Sequence, residues 1–471
     1  MARVKSYEAQ EILDLEYQGH GVAKPEGRVL FVEGVLPGEI ADVRVTRRKK
    51  DVAFGVPTEI RRRSDRRVEP FCPHFSDCGG CTWQYLGYAD QVRYKERFAG
   101  EVLARLGGIA GPAPLPIIEC ENDRFYRNKL DYSFSATRWL SDDEIAGGRE
   151  IDDRRALGFH VKGRFDRVLD VHVCFLQRDP SNQIRTEARR IARERGYSFH
   201  DPVRHEGLLR SLIIRTTEDG EVMVILVIYE DRHDVAASML GELMKAVPAI
   251  TSAYSIVNPS RNDDIAPYAA RHVAGTTVIR ERCGPLRLAI HPKSFYQTNS
   301  RQAERLYGVV REWLDGGRDD VLLDLYCGIG SIGLFLADLV GAVVGIEYVE
   351  EAVQQARENA ALNGFPNAAF QAGDVRELLR SAGRPGSTVP RPDLVVLDPP
   401  RAGVHPDVID ELVRLAPRQI VYVSCKPSTQ ARDLKRLSEQ YEVTRVQPVD
   451  MFPQTFHIES VVDLRRRKEG Q

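Results

Sequence analysis

The sequence lacks any apolar run long enough to cross a lipid bilayer. The longest such run, at residues 222–229, has eight residues, whereas a membrane helix needs about 20. The N-terminus also lacks the apolar segment of a secretory signal peptide. The sequence therefore predicts a soluble, cytoplasmic protein with no membrane partner.

Cysteine and net charge are also scarce. The 471 residues include only eight cysteines, too few for a disulfide framework, so clustered thiols are candidates for metal binding or catalysis. The formal net charge of -2 gives no overall sign of a nucleic-acid partner. Residues 44–67, however, carry ten Lys or Arg against three acidic residues. Such a run is usually a solvated surface, and it favours RNA or DNA binding only together with other signals.

The pattern of apolar and turn residues divides the chain into three parts. Short predicted strands at 28–32, 41–46 and 52–60 indicate a small OB-like β-barrel. A mixed α+β part follows, with a predicted helix at 88–106 and strands at 212–216 and 222–228. From residue 321 onward, apolar strands alternate with helices, as in a doubly wound parallel sheet. We therefore predict a multidomain α/β protein with domains at 1–62, 63–290 and 291–471.

Cys425 occupies a position typical of a nucleophile. It follows an apolar strand and precedes a predicted helix that begins near Pro427 and Ser428. The N-terminus of a helix favours the thiolate, the form in which cysteine attacks other groups. Frequency alone favours a buried structural cysteine. The choice between the two depends on the residues at neighbouring strand ends.

A glycine-rich turn predicts a cofactor site. Gly328, Gly330 and Gly333 form the pattern G-x-G-x-x-G, and Glu347 follows at the spacing of a ribose-binding carboxylate. The same turn suits a nicotinamide dinucleotide or S-adenosylmethionine, whose adenine amine would donate to Asp374. The glycines alone do not separate the two cofactors.

The reacting groups favour methyl transfer over hydride transfer. Hydride transfer needs no cysteine nucleophile, whereas carbon-5 of a pyrimidine becomes nucleophilic only after a thiolate adds to carbon-6. Cys425 supplies that thiolate, and Glu459 is our candidate for the base that removes the carbon-5 proton. Spacing alone favours an ordinary polar role for Glu459. The segment Asp398-Pro399-Pro400 also occurs in amino-methyltransferases, but the cysteine at the next strand end argues against that class.

Six segments, in this order, resemble the RNA uracil-carbon-5 methyltransferases along nearly the whole chain. They are SFYQTN (294–299), DLYCGIGSIGL (324–334), VVGIE (343–347), LDPPRAG (397–403), VSCKPSTQARDL (423–434) and HIES (457–460). The resemblance implies that Cys425 is the nucleophile, Glu459 the base, and Asp398 a residue that holds the uracil. The implied S-adenosylmethionine contacts are Gln297, Tyr326, Gly328, Gly330, Ser331, Glu347, Asp374 and Asp398, with Gln297 also placed in the active site.

Two positions depart from the family pattern. The family usually has Asn where this chain has Ser331 and Lys426. Ser331 leaves one cofactor contact open, whereas Lys426 is compatible with catalysis and would favour the thiolate or a nearby phosphate. Residues 18–23 and 31–39 look like the TRAM domain that precedes many members, which implies an RNA-facing surface on the barrel.

Four cysteines form a candidate metal site. Cys72, Cys78 and Cys81 are spaced C-x5-C-x2-C, and Cys174 lies far downstream. Such thiolates hold either zinc or an iron–sulfur cluster, and the lack of two short C-x2-C pairs weakly favours the cluster. The family resemblance implies a 4Fe-4S cluster on these four residues. The other thiols, such as Cys120 and Cys283, fit ordinary free cysteines.

The sequence thus predicts a monomeric enzyme that methylates carbon-5 of a uridine in RNA. Members with both the barrel and the cluster resemble the 23S ribosomal RNA branch, so 23S rRNA is the expected partner. The alternatives are a tRNA uridine, an RNA cytosine, and an RNA-binding protein without catalysis.

Overall fold

Three large β-sheets and one two-stranded hairpin organise the chain. They are seen in a computed structural model that describes residues 6–107, 112–148 and 151–468. Within these residues, no helix combines the length and the apolar content that a membrane span requires.

The first sheet is the predicted barrel. Its strands are β1 (Ser6–Glu11), β2 (Asp14–Leu15), β3 (Gly21–Ala23), β4 (Val29–Val32), β5 (Ile40–Arg48) and β6 (Val52–Arg62). Their order is β1-β5-β6-β4-β3-β2. Alternate residues such as Leu30, Val32, Ala41 and Val43 point inward and form a small core, as strand periodicity requires. The tip of the β5–β6 hairpin carries the exposed basic residues 47–50.

The middle of the chain contains the second sheet and the two-stranded hairpin. Its elements are α1 (Tyr88–Gly107), β7 (Lys129–Ser135), α2 (Asp142–Ala146), β8 (Ala156–His160), β9 (Val168–Asp170), α3 (Ser181–Glu194), β10 (Leu209–Thr216), β11 (Val222–Ile228), α4 (His233–Ala246), β12 (Ser252–Val257), β13 (Ala270–Gly275), β14 (Ile279–Cys283) and β15 (Leu286–Ile290). The second sheet has seven strands in the order β13-β12-β11-β10-β7-β8-β9, and β14 and β15 form the hairpin. Every residue of β11 is buried. Its alternate side chains enter two different cores, one beneath α3 and α4 and one shared with the C-terminal region.

The third sheet is the predicted doubly wound sheet. Its region contains α5 (Ser300–Trp313), β16 (Val321–Leu325), α6 (Ser331–Leu336), β17 (Ala342–Glu347), α7 (Glu350–Asn363), β18 (Ala368–Ala372), α8 (Val375–Ser381), β19 (Leu394–Leu397), α9 (Pro406–Leu415), β20 (Gln419–Ser424), α10 (Pro427–Leu437), β21 (Tyr441–Val449) and β22 (Glu459–Arg466). The order is β18-β17-β16-β19-β20-β22-β21. The first five strands in this order are parallel, whereas β22 runs antiparallel between β20 and β21.

Helix α1 joins the first half of the chain to the third sheet. Its Lys95 donates from Nζ to Asp450 Oδ1 at 2.7 Å, and both side chains are fully buried. Tyr88 of the same helix donates to the other oxygen of Asp450 at 3.0 Å. A buried ion pair of this kind stays favourable only when further hydrogen bonds satisfy it, as they do here. The domain boundaries at residues 62 and 290 stay predictions.

Candidate active site

The candidate reactive residues lie at one edge of the third sheet. Parallel strands β16, β17, β19 and β20 end just before or at Tyr326, Glu347, Asp398 and Cys425, and such ends share an edge. The antiparallel strand β22 begins at Glu459, and its pairing sets Ser460 opposite Ser424. The register therefore brings the predicted nucleophile and the predicted base together, although 34 positions separate Cys425 from Glu459 in the sequence.

The Cys425 thiol is neutral at physiological pH in this structure. Burial first, and then the charges of Glu459 and Asp398, raise its pKa to about 11. Helix α10 does begin at Pro427, as predicted. The effect of this helix N-terminus on the thiolate stays a prediction, and burial with two neighbouring carboxyl groups outweighs it in setting the pKa of Cys425.

Arg401 lies beside the candidate reactive residues, although the sequence analysis did not select it. Its guanidinium hydrogen-bonds the Cys425 thiol and lowers its pKa, opposing the effect of burial. The same cation lowers the pKa of the Glu459 carboxyl. Lys426, predicted to favour the thiolate or a nearby phosphate, is exposed, and the cation that acts on the pKa of the thiol is Arg401. An exposed position suits the phosphate alternative, which stays a prediction. The available signal was a cation three residues after Asp398 in the segment LDPPRAG.

Glu459 is 2% exposed, and burial raises the pKa of its carboxyl well above the usual value. Its Oε2 atom has no hydrogen-bond partner among the residues that the structure describes. A buried oxygen without a partner costs about 1–3 kcal/mol, so such atoms usually have a functional reason. This oxygen is free to accept a proton from a ligand.

Two further carboxyl groups lie close to the site. Burial, followed by the charge of Asp324, raises the pKa of Asp398 to about 7. Asp324 is buried, its pKa is also raised to about 7, and its Oδ2 accepts from the Gly333 N–H at 2.8 Å. Asp324, Asp398 and Glu459 repel one another when ionised. The ionisation of one of these carboxyl groups therefore disfavours the ionisation of the others.

The glycine-rich turn has the backbone that its sequence predicts. Tyr326, Gly328 and Gly330 have φ of 66°, 53° and 80°, all in the left-handed region. A Cβ on Gly330 would lie 2.9 Å from the ring of Phe370, so only glycine fits there. The Gly328 N–H donates to Glu347 Oε2 at 3.2 Å, which fixes the turn against the candidate ribose-binding carboxylate.

The remaining cofactor candidates are held by neighbours within the protein. The Ser331 hydroxyl lies 3.2 Å from the Tyr307 hydroxyl at the start of α6. Asp374 caps α8, and its hydrogen bond with the Arg376 guanidinium holds its pKa at about 2. Gln297 is buried, and its backbone carbonyl accepts a hydrogen bond from the side-chain amide of Asn128 at 2.8 Å. Their roles toward a cofactor stay predictions.

Comparison with known proteins decides the family. A family model described as tRNA (Uracil-5-)-methyltransferase matches residues 211–467, more than half of the chain. The chain belongs to this family. A second model, the TRAM domain, matches residues 11–58 of the methyltransferase. The predicted family, the N-terminal TRAM domain and the class of enzyme are thereby confirmed.

The methyltransferase is also similar, along nearly its whole length, to two bacterial RNA methyltransferases and to one solved structure. It is 42% identical over 455 residues to an uncharacterized RNA methyltransferase of Bacteroides thetaiotaomicron, covering 96% of this chain and 99% of that protein. A Porphyromonas gingivalis relative with the same description is 42% identical over 473 residues, and the match covers 98% of this chain and 100% of that protein. One solved structure is similar over nearly the whole chain, that of the tRNA (uracil-54, C5)-methyltransferase of Pyrococcus abyssi in complex with S-adenosyl-L-homocysteine. The TM-score is 0.76 at 30% sequence identity, and the match covers 97% of this chain and 99% of the Pyrococcus chain.

The four predicted metal ligands of the methyltransferase converge on one cavity. Cys72, Cys78, Cys81 and Cys174 line a cavity of about 350 Å³ next to the second sheet. Burial raises the pKa of all four thiols, to about 12 for Cys78 and Cys81. In residues 6–107, 112–148 and 151–468, no group of three or more His, Cys, Asp or Glu side chains is placed to hold a metal ion. The 4Fe-4S cluster itself stays a prediction.

Proposed function

We propose that this enzyme methylates carbon-5 of a uridine in RNA through a covalent bond between Cys425 and carbon-6 of the uracil. The observation that carries the proposal is the pairing of β20 with β22, which sets the thiol beside the buried carboxyl of Glu459. The Oε2 atom of that carboxyl has no hydrogen-bond partner in the described part of the chain. A methyltransferase that acts on a nucleophilic nitrogen would need neither group. Carbon-5 of a pyrimidine needs both.

The chain's own residues supply the steps at the base. The Cys425 thiol passes its proton to solvent water, and the thiolate, stabilised by the Arg401 guanidinium, adds to carbon-6 of the uracil. The addition breaks the carbon-5–carbon-6 double bond and leaves carbon-5 nucleophilic. S-adenosylmethionine supplies the methyl group that carbon-5 takes. The Glu459 carboxylate then accepts the carbon-5 proton, the carbon-5–carbon-6 double bond reforms, and the thiolate leaves. Because burial raises the pKa of Glu459, the carboxylate is a strong proton acceptor once ionised.

We assign the cofactor to the turn after β16 and the neighbouring strand ends. The left-handed turn at Gly328 and Gly330 leaves space for the amino-acid end of S-adenosylmethionine, and Glu347 would accept from the ribose hydroxyls. Asp374 stays ionised near neutral pH and would accept from the adenine amine. The other proposed contacts are Gln297, Tyr326, Ser331 and Asp398.

The target is a uridine of 23S rRNA or of tRNA. The family resemblance favours 23S rRNA through the combination of barrel and cysteine segment. The match to the Pyrococcus abyssi enzyme, however, covers 97% of this chain, and that enzyme is described as a tRNA (uracil-54, C5)-methyltransferase. The domain layout therefore does not choose between the two RNAs. In either case, the basic tip of the β5–β6 hairpin would contact phosphates.

The test is to map 5-methyluridine in 23S rRNA and tRNA from cells with and without this protein. We expect one uridine to lose its methyl group in the deletion strain and to regain it when the wild-type protein is supplied. Purified enzyme with methyl-labelled S-adenosylmethionine should yield labelled 5-methyluridine from the same RNA. Labelled 5-methylcytidine would support the cytosine alternative, and the absence of any labelled nucleoside would support a non-catalytic RNA-binding protein.

We further propose that Cys72, Cys78, Cys81 and Cys174 hold a 4Fe-4S cluster. Four thiols converging on one cavity fit this group, because a cube of four irons keeps its thiolates farther apart than a single ion does. When bound, the cluster would join the segment 72–81 to the loop at Cys174. Methyl transfer has no redox step, so we assign the cluster a structural role.

Protein purified without air should contain iron and show broad visible absorption. Cys81→Ser removes one ligand and should lower both signals strongly, whereas Cys283→Ser, a buried thiol elsewhere, should leave them unchanged. Iron content and the absorption spectrum measure this directly. Wild-type protein that lacks both signals when prepared without air would refute the cluster.

A further inference from the structure

One side chain of the N-terminal barrel reaches the active site. Tyr17 lies in the loop between β2 and β3, and its ring centroid is 6.3 Å from that of Phe98 in α1. The same ring is 6.3 Å from Phe456, and it packs against the group that contains Ile458. Phe456 and Ile458 belong to the short segment that leads directly into the proposed base, Glu459.

The loop that carries Tyr17 is fixed in this position. The Arg97 guanidinium of α1 donates to Asp14 Oδ1 at 2.7 Å and to the Leu15 carbonyl at 3.2 Å. Gly19 has a φ of 86°, and a Cβ there would lie 2.0 Å from the indole nitrogen of Trp83. The loop thus fits closely against Trp83, which leaves no room for a side chain at residue 19.

Trp83 links the loop to the segment before Glu459. The backbone N–H groups of Thr82 and Trp83 both donate to the Gln454 carbonyl, at 2.8 and 3.0 Å. Gln91 of α1 adds a side-chain hydrogen bond to the Gln454 side chain at 3.0 Å. Tyr17 and the segment 454–459 are therefore held by the same neighbours, and their relative position is set by the fold.

Three of the titratable groups that act on the Tyr17 phenol belong to the candidate active site. Burial, followed by Cys425, Glu459 and the neighbouring Glu16, raises the pKa of Tyr17 to about 12, and Arg401 opposes the increase. The phenol is therefore neutral and able to donate a hydrogen bond.

We propose that Tyr17 forms one wall of the pocket that receives the extruded uridine, with its ring against the base and its hydroxyl donating to the base. Enzymes that modify a base take it out of the stack and hold it against aromatic rings and hydrogen-bond donors. The inference rests on the proposed function. It makes the barrel part of the active site, since RNA bound by the barrel would meet Tyr17 and Cys425 at once.

The test compares Tyr17→Phe and Tyr17→Ala with the wild type, using RNA that contains 5-fluorouridine at the mapped target. Fluorine at carbon-5 cannot leave as a proton, so the covalent enzyme–RNA complex persists and its rate of formation can be measured. The control is Tyr94→Phe, which removes a hydroxyl from the same aromatic group next to Phe98 but not from the catalytic site.

At saturating RNA, we expect Tyr17→Phe to slow complex formation about 5- to 10-fold, the effect of one lost hydrogen bond, and Tyr17→Ala to slow it about 100-fold. RNA affinity should change less than about threefold, and Tyr94→Phe should match the wild type. Wild-type rates in both Tyr17 variants would overturn the inference, as would a loss of affinity that accounts for the whole loss of rate. If the wild type forms no covalent complex, the proposed function itself fails.

Discussion

Cys425→Ala should abolish methyl transfer, with a loss of rate on the order of 10⁶-fold, the size of effect typical when an enzyme's nucleophile is removed. Without the thiolate, carbon-5 of uracil is not nucleophilic, and no other described residue of the site offers a sulfur at the end of β20. Single-turnover transfer of a labelled methyl group to RNA measures the effect. RNA affinity should stay near the wild-type value.

Cys283→Ala is the matched control, because this cysteine is buried outside the active site. It should keep methyl transfer within a few-fold of the wild type. A Cys425→Ala protein that retains a substantial part of the wild-type rate would contradict the covalent mechanism, whereas lost activity together with lost RNA binding would point to misfolding instead.

Glu459→Gln should trap the reaction after methyl transfer. The amide keeps the size of the buried side chain but cannot accept the carbon-5 proton, so the thiolate of Cys425 cannot leave. We expect turnover to fall about 10²- to 10⁴-fold, the usual contribution of a general base. A methylated, denaturant-resistant protein–RNA complex should accumulate with ordinary uridine RNA, as a labelled band on a denaturing gel.

The control for this variant is Glu442→Gln, on an exposed position of the neighbouring strand β21. It should turn over normally and accumulate no complex. If Glu459→Gln turns over at the wild-type rate, another group is the base. If it loses turnover without accumulating the complex, Glu459 acts before the methyl group moves.

The third sheet and its site were the most predictable parts of the molecule. Largely apolar segments such as residues 321–325, in which Asp324 is the one polar residue, and residues 394–397 form central strands because both faces are covered. In such a sheet the positions just after the strands share one edge, so Asp398 and Cys425 could be placed together from sequence alone. Glu459 was selected because the reaction needs a base, and the family resemblance implied the same role, whereas its spacing alone favoured an ordinary polar residue.

The electrostatics of the site could not be predicted in the same way. The sequence shows that Cys425 precedes a helix, but it does not show how far the thiol is buried or which charges face it. Burial and two carboxyl groups outweigh the expected effect of the helix on the pKa of Cys425, and Arg401 opposes them from a loop 24 positions upstream. These contacts depend on how the loops fold over the sheet edge.

Contacts between distant parts of the chain were also beyond the sequence. Tyr17 and Phe456 are 439 positions apart, and only the docking of α1 and the barrel loop brings their rings together. Likewise, the spacing of Cys72, Cys78 and Cys81 predicted a common site. Cys174 lies far downstream, and the family resemblance implied that it belongs to the same site. Only the fold brings Cys174 to the cavity that the other three cysteines line.

The central claim, attack of Cys425 on carbon-6, is tested most directly by mass spectrometry of the complex with 5-fluorouridine RNA. After digestion, the account predicts a single modified peptide, with the 5-fluoro-5-methyl nucleotide attached to Cys425. A nucleotide attached to a different residue, or methylated uridine produced from normal RNA without any covalent complex from the fluorinated RNA, would contradict it.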